Sequence, residues 1–564
     1  MAANANFCTL NSNAQISTGT FSHGNTLFQH TASAWRSSIG TFALTSGKWY
    51  WEALQSADLG GNGFPIGVYD LKDGKFASNQ EANYPGQATA TYGAAYAIYS
   101  YTTSTRAGYY HNGTETALAT TGTGAAGDVW QCALDLDNGK VFFGKNNTWD
   151  NSANPATGTN PIGTGLTATT SGWTPITCSY NSSTSETYIQ NFGQDSSFAA
   201  GKSTGSANAA DGNGYGDFYY APPSGFVSIC SANIPTAAAI DPVEGAKPSD
   251  FFDAITYTGD GGTSTSITGL NFQPDWVLIK NRDSADGWLN QNSVTGVGKT
   301  HEWNDDGPYE DETDCITAFN SDGWTMNNDH KVNASTEKYV AYCWKKSADA
   351  GFDIVEYSGS GGTQAVSHSL GATPDCIMLH LKSGGDWDGT MFMNSTVAPA
   401  MGSTKGVFMS LANGAQSSTY VSAATSTNFT VTSSADTGTR AYVAYLFRGI
   451  DGFSRFGQFE GNSNVDGPYI HTGFKPKFVF FKAIDATENW QIRDTARLLI
   501  NNGTALRIYW NTDGAEGTAS TASPIDFLAS GFKIRGSNSE INTNTVIYGA
   551  WAESPYKTNS PLST

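Results

Sequence analysis

The densest cluster of chemistry-bearing side chains is His301-Glu302-Trp303-Asn304-Asp305-Asp306-Gly307-Pro308-Tyr309-Glu310-Asp311-Glu312-Thr313-Asp314, with seven carboxylates. Ca²⁺ takes roughly six to eight oxygen ligands, and Asp305, Asp306, Glu310 and Asp311 are the donors to consider here. The alternate-position spacing of an EF-hand is missing and Pro308 interrupts the run, so a solvated acidic loop is the competing interpretation. The eight histidines are scattered: none has a histidine four residues on, and no HExxH occurs, so no zinc motif is present. Paired carboxylates serve glycoside hydrolysis, but 50 acidic residues bring some pairs together by chance and select no site. The seven cysteines are odd in number, lack CxxC spacing and mostly sit in apolar runs such as Trp130-Gln131-Cys132-Ala133-Leu134. Buried free thiols are expected, without a disulfide or zinc framework. No catalytic residue and no cofactor is predicted.

Aromatic residues offer a second kind of chemistry, the stacking of rigid rings against sugars or proteins. Trp288, Trp387 and Trp490 sit among Asp, Gly and Asn just beyond apolar runs, and Trp303 lies inside the acidic segment. Their recurrence equally permits a core role. Tyr109, Tyr110 and Asn112 form a Tyr-rich turn, and Tyr215 and Tyr219 lie in a late Gly/Ser-rich stretch. Tyr mixed with Gly, Ser and Asn is a paratope-like composition, so these are receptor-binding candidates. Packing of each loop onto its own scaffold is the alternative.

The elements that must position these residues repeat. Phe252-Asp253 to Tyr257-Thr258-Gly259, Phe352-Asp353 to Tyr357-Ser358-Gly359 and Phe456 to Phe459-Glu460-Gly461 open three units. Each continues in a Pro-led apolar run from Pro274, Pro374 or Pro476, spaced 100 and 102 residues (374−274, 476−374). A tryptophan follows 14, 13 and 14 residues later (288−274, 387−374, 490−476), and an aromatic strand ends each unit at Trp344, Phe447 or Trp551. Trp276, Trp344, Phe478 and Trp551 lie in apolar strands and are expected in the core. Whole-unit repetition favours a surface built by copying over a single active site. The acidic segment belongs to the first copy only.

Gly numbers 63, aromatics reach 13% and charged residues are only 14%. Short strands joined by many turns have this composition, and no long window shows helical apolar spacing. Within residues 1–235, strands are expected at Trp49–Leu54, Phe64–Asp70, Tyr96–Tyr101, Val129–Asp135 and Lys140–Gly144. Asn138-Gly139 reads as a tight hairpin turn with both residues at positive φ. The formal charge of −20 disfavours nucleic acid and anionic membranes. No run of 18 apolar residues exists and the N-terminus has no secretory h-region, so no membrane insertion or signal-directed export is expected.

The first domain resembles a SPRY domain at several places in the right order: Ser46-Gly47-Lys48-Trp49-Tyr50-Trp51-Glu52, Ile66-Gly67-Val68-Tyr69, Gly127 through Phe143, and Asn191-Phe192-Gly193-Gln194. Its opening Asn6–Asn11 and its close Gly225–Pro235 look like a variant found in tail-fibre-like proteins of tailed phages. The following copies resemble a phage-associated domain that accompanies it. What the resemblance implies is recognition without catalysis.

The expected architecture is all-β. It comprises a SPRY-like sandwich over 1–235, a linker over 236–249, and three tandem β-sandwich, jelly-roll-like repeats over 250–348, 349–449 and 450–554. A tail over 555–564 completes it. The expected function is a non-enzymatic virion structural protein acting in tail-fibre host attachment, made in the host cytoplasm and released by lysis. Its partners would be other virion proteins, a host surface glycan or protein, and further copies of itself, a trimer by class. A capsid-attached head fibre or decoration protein is the alternative, and a capsule depolymerase the third.

Overall fold

The computed structural model describes residues 5–555 apart from 16–18, 31, 58–61, 73, 75, 77–82, 88–93, 102–107, 119–123, 167–171, 181–186, 204–208, 236–237, 241–244, 418–419, 498–500, 502–505 and 519–523. Of the expected tail, 556–564 lie outside this description, as do parts of the linker. The chain forms two compact units, 1–235 with 468–471, and 236–467 with 472–564. Both are built of antiparallel sheets, and all seven cysteines are buried free thiols. Among the described residues no helix is long and apolar enough to cross a membrane.

The first unit is a sandwich. One sheet centres on Lys48–Ala57 between Val129–Asp135 and Thr187–Asn191; the other centres on Asn62–Asp70 between Trp173–Tyr180 and Ala95–Tyr101. These central strands carry apolar residues on both faces, Trp49, Tyr50 and Trp51 all being buried, because both faces are covered. The hairpin after Val129–Asp135 departs from expectation. Asp135 pairs with Lys140, leaving a four-residue loop. Only Gly139 takes positive φ there; the Asn138 amide instead donates to the Asp135 carboxylate at 3.0 Å.

In the second unit each copy contributes a six-stranded sheet. Its order in the first copy is Phe252–Thr258, Lys338–Trp344, Trp276–Asn281, Leu289–Asn292, Lys299–Glu302 and Glu310–Asp311. A small sheet covers one face: Thr265–Thr268, Gly323–Met326 and Ile316–Asn320 in the first copy, Gln364–Ser367, Asn428–Val431 and Val421–Ala424 in the second. In the third, Ile525–Leu528 pairs with Gly531–Ile534.

Period-two alternation then decides where each side chain goes. Val277 and Ile279 enter the first copy's own core. Trp276 and Leu278 point the other way, into a cluster shared with Met378 and Tyr445 of the second copy and Phe478, Phe480 and Trp551 of the third. The copies are thus sandwiches whose large sheets also turn their second faces onto one common core.

Register corrects one repeat assignment. Phe252 and Phe352 lie opposite Trp344 and Phe447, but the residue opposite Trp551 is Ser454. Phe456 instead faces Gly549, where a Cβ would lie 2.4 Å from the Phe480 ring and 2.9 Å from that of Phe456. The bulk moved across the strand pair, and the glycine makes room for it.

Candidate functional site

Three hairpins, one per copy, close the second unit as a ring. Each starts from the fifth strand in the order of its large sheet: Lys299–Glu302, Lys405–Phe408 or Leu506–Tyr509. Immediately after it stands Trp303, Met409 or Trp510, each buried in the shared core. Six residues further on, a backbone N–H crosses to the next copy. Tyr309 donates to the Lys382 carbonyl at 3.2 Å, Ala415 to Ile484 at 2.6 Å and Glu516 to Arg282 at 2.9 Å. The acceptors are equivalent, each eight residues beyond its Pro274, Pro374 or Pro476. The acidic segment therefore sits on a hairpin that all three copies possess; its charge alone is particular to the first.

The tryptophans expected at binding surfaces belong to this closure. Trp288, Trp303 and Trp490 are fully buried. The Trp288 indole N–H donates to the Tyr509 carbonyl of the third copy, and that of Trp490 to the Phe408 carbonyl of the second, both at 2.9 Å. A buried indole usually finds a partner for its N–H, and the neighbouring copy supplies one to Trp288 and Trp490, whereas that of Trp303 makes no hydrogen bond. Assigning these residues to a receptor is therefore corrected.

Trp387 is not their equivalent. The main-chain bonds Trp303 to Trp288, Met409 to Gly389 and Trp510 to Trp490 place Gly389 in that position. Trp387 is half-buried on the second copy's outer core, edge-on to Tyr420 and Tyr442 at 5.5 and 5.7 Å.

The symmetry breaks where the second copy lacks that tryptophan. The seam between first and second copies differs from the others in two buried side chains. Six residues after the prolines stand Lys280, His380 and Lys482; two residues before the hairpin tryptophans or methionine stand His301, Val407 and Ile508. All six are buried. Lys482 donates to the carbonyls of Ala412, in the second hairpin, at 2.8 Å and of Glu488. Lys280 donates to Asn281 and Ser284 at 2.7 and 3.3 Å. Burial pulls both ammonium groups down to about 8, against the pull of Glu488 on one and of Asp286 and Asp513 on the other.

At the first seam His301 and His380 meet instead, ring centroids 4.6 Å apart, with Trp303 4.0 Å from His380. None of the four ring nitrogens makes a hydrogen bond of good geometry. Burial presses His301 down to about 4, against the Gly307 carbonyl and Asp305, and burial with His301 beside it holds His380 well below the usual range.

His301 lines a cavity of about 240 Å³ with Thr300, Glu302, Asp305, Glu310 and Glu312. Lys331 bridges Glu302 and Glu312 at 3.0 and 2.7 Å. Burial would raise the Glu312 carboxyl, but Lys331, Cys315 and Thr300 hold it low. Asp305 and Glu310 face the cavity, whereas Asp311 pairs with Lys299 outside it. The Asp306 carboxyl is raised by its hydrogen bond to Asp305. Among the described residues, the group of three with ligand atoms within 4.8 Å of one another is Asp314, Cys315 and Asp329. The candidate Ca²⁺ donors Asp305, Asp306, Glu310 and Asp311 are therefore not gathered around one ion.

In the first unit the tyrosine candidates are half-buried. Tyr110 packs on Phe64, Tyr84 and Tyr99 and donates to Glu115 at 2.8 Å. Tyr109 stacks on Tyr96 at 6.4 Å, and Asn112 is exposed at the hairpin tip with φ 50°. The backbone of Tyr215 closes a turn on Asp211, donating to its carboxylate at 3.0 Å.

Tyr219 rests on a residue that sequence reasoning missed. Glu52, buried in the central strand, accepts the N–H groups of Tyr219 and Tyr220 at 2.9 and 2.7 Å and the Tyr50 hydroxyl at 2.8 Å. Burial pushes its carboxyl up to about 7 despite these donors. Its contribution is complete below the unfolded value and is lost as pH rises through about 7. Glu52→Ala is expected to cost on the order of 3 kcal/mol through buried donors left unpaired. It should also open the 219–220 segment to protease. Urea unfolding and limited proteolysis check this; an unaltered cleavage pattern would show that the loop is held elsewhere.

No curated protein matches the chain. Solved structures similar to part of it include the SPRY domain of human HERC1, at 17% identity and a TM-score of 0.22, covering 33% of this chain and 93% of that one. The TRIM65 PSpry domain is similar at 12% identity and a TM-score of 0.24, covering 33% and 92%. Residues 247–555, the stretch that closes into the ring, match the model of the family described as "Domain of unknown function (DUF7483)", and the chain belongs to that family.

Proposed function

We propose that the protein is a non-enzymatic structural protein of a tailed-phage virion, placed in or near the tail fibres, where it contacts the host surface. The observation that carries this reading is the use made of the repeats. Copying has produced a scaffold whose shared side chains are core aromatics and seam bonds, while the hairpin sequences outside the core differ from copy to copy. Such a body holds varied loops rigidly, which suits recognition and assembly. The phage setting rests on the resemblance of residues 1–235 to the tail-fibre-associated SPRY variant. Neighbouring virion proteins, a host glycan or protein, and copies of the same chain are the partners this role requires.

Antibody raised against the full chain should label intact particles at the tail and block adsorption. Label distributed over the capsid with adsorption intact would make it a decoration protein. New reducing ends released from purified host glycan would make it a depolymerase.

A further inference from the structure

Two of the three seams contain a buried ammonium, Lys280 or Lys482, and the first seam has His380 in its place. The missing cation coincides with a surplus of anions. Asp305 and Glu310 face the cavity without an ion pair among the described residues, Lys331 being engaged by Glu302 and Glu312. His301, 2% exposed, lines the same cavity, and neither ring nitrogen makes a hydrogen bond of good geometry, although the Gly307 carbonyl acts on the ring. A neutral imidazole offers one acceptor and one donor. A buried polar group with no partner calls for an explanation, and a bound ion or molecule is one.

The acids are spread along the cavity and are not grouped within reach of one metal ion. A cation with several separated donors fits better. Guanidinium has five N–H donors in a planar fork and is more weakly hydrated than ammonium, so it suits acceptors that are set apart along a cavity.

We propose that the cavity at the first seam binds a guanidinium group, carried by a small molecule or by an arginine side chain. Nothing in this binding depends on the virion setting. The test is calorimetric titration of the full chain with agmatine, with Gly-Arg-Gly and with Gly-citrulline-Gly, which lacks the charge. Agmatine or the arginyl peptide should bind and the citrulline peptide should not; whichever of the two binds more tightly identifies the source. The Asp305→Asn, Glu310→Gln double variant should weaken binding about tenfold or more, while Asp349→Asn, at an exposed acid elsewhere, should leave it unchanged. If the double variant unfolds, Glu310→Gln alone serves. The proposal is overturned if neither cation binds at millimolar concentration, if binding ignores the two acids, or if Ca²⁺ or Zn²⁺ occupies the same carboxylates in preference.

Discussion

Replacing Trp551 by alanine is expected to destabilise all three copies together, by about 3–5 kcal/mol. Its ring lies 5.3 to 5.8 Å from Phe252 and Trp344 of the first copy, from Phe447 of the second, and from Phe456 and Phe478 of its own. The cavity left behind would open onto every large sheet. Because the sheets share one core, loss of packing in the third copy cannot be confined to it. Urea unfolding followed by hydrogen exchange should show amides of Trp276–Asn281, Cys376–Ser383 and Phe474–Ala483 losing protection to a similar extent. Protection lost in the third copy alone would mean that the copies fold independently and that the shared cluster contributes little.

The second large effect depends on pH. His301 and His380 are held neutral by burial, so the folded unit refuses protons that the unfolded chain accepts below about 6.5. Their contribution is whole above that pH and is lost as pH falls toward 4. For His301, whose value drops from 6.5 to about 4, one unit is worth about 1.4 kcal/mol, giving roughly 3 kcal/mol over the window. His380 adds to the loss in the same direction. A His301→Val, His380→Leu variant, which makes the hairpin residue match Val407, should lose much less stability between pH 6.5 and 4.5. Urea midpoints at the two pH values measure it. Equal acid sensitivity of variant and parent would show that other groups govern the transition.

The strands and the threefold repeat were legible because they rest on local patterns: turn residues, Pro-led apolar runs and aromatic strand ends. The ring was not. Apolar residues on both faces of Trp276–Asn281 announce a strand covered twice but leave open what covers it. Trp288 looks like an exposed ring because its neighbours in sequence are polar, while its partner Tyr509 lies 221 residues away. Two signals did point to the seams. Trp387 breaks the 14-residue spacing by one, and Lys280, His380 and Lys482 occupy one repeat position with one member of different charge. The acidic segment was visible as a cluster, but the buried imidazole beside it came into view only through the fold. Glu52 was hidden for a related reason: one carboxylate in an aromatic strand carries no sign that a loop from residues 219–220 will come to rest on it.

A core shared among three copies also imposes a schedule on synthesis. The inner face of the first sheet, with Trp276 and Trp344, is finished when residue 344 is made, yet Trp551 is 207 residues later (551−344). At roughly 5–20 residues per second this is an interval of about 10–40 s. Throughout it the small sheets can already cover their own side of each copy, while a face rich in tryptophan, phenylalanine and methionine waits for the last strand. At every round of translation that face is therefore open to the wrong partner until its own third copy arrives.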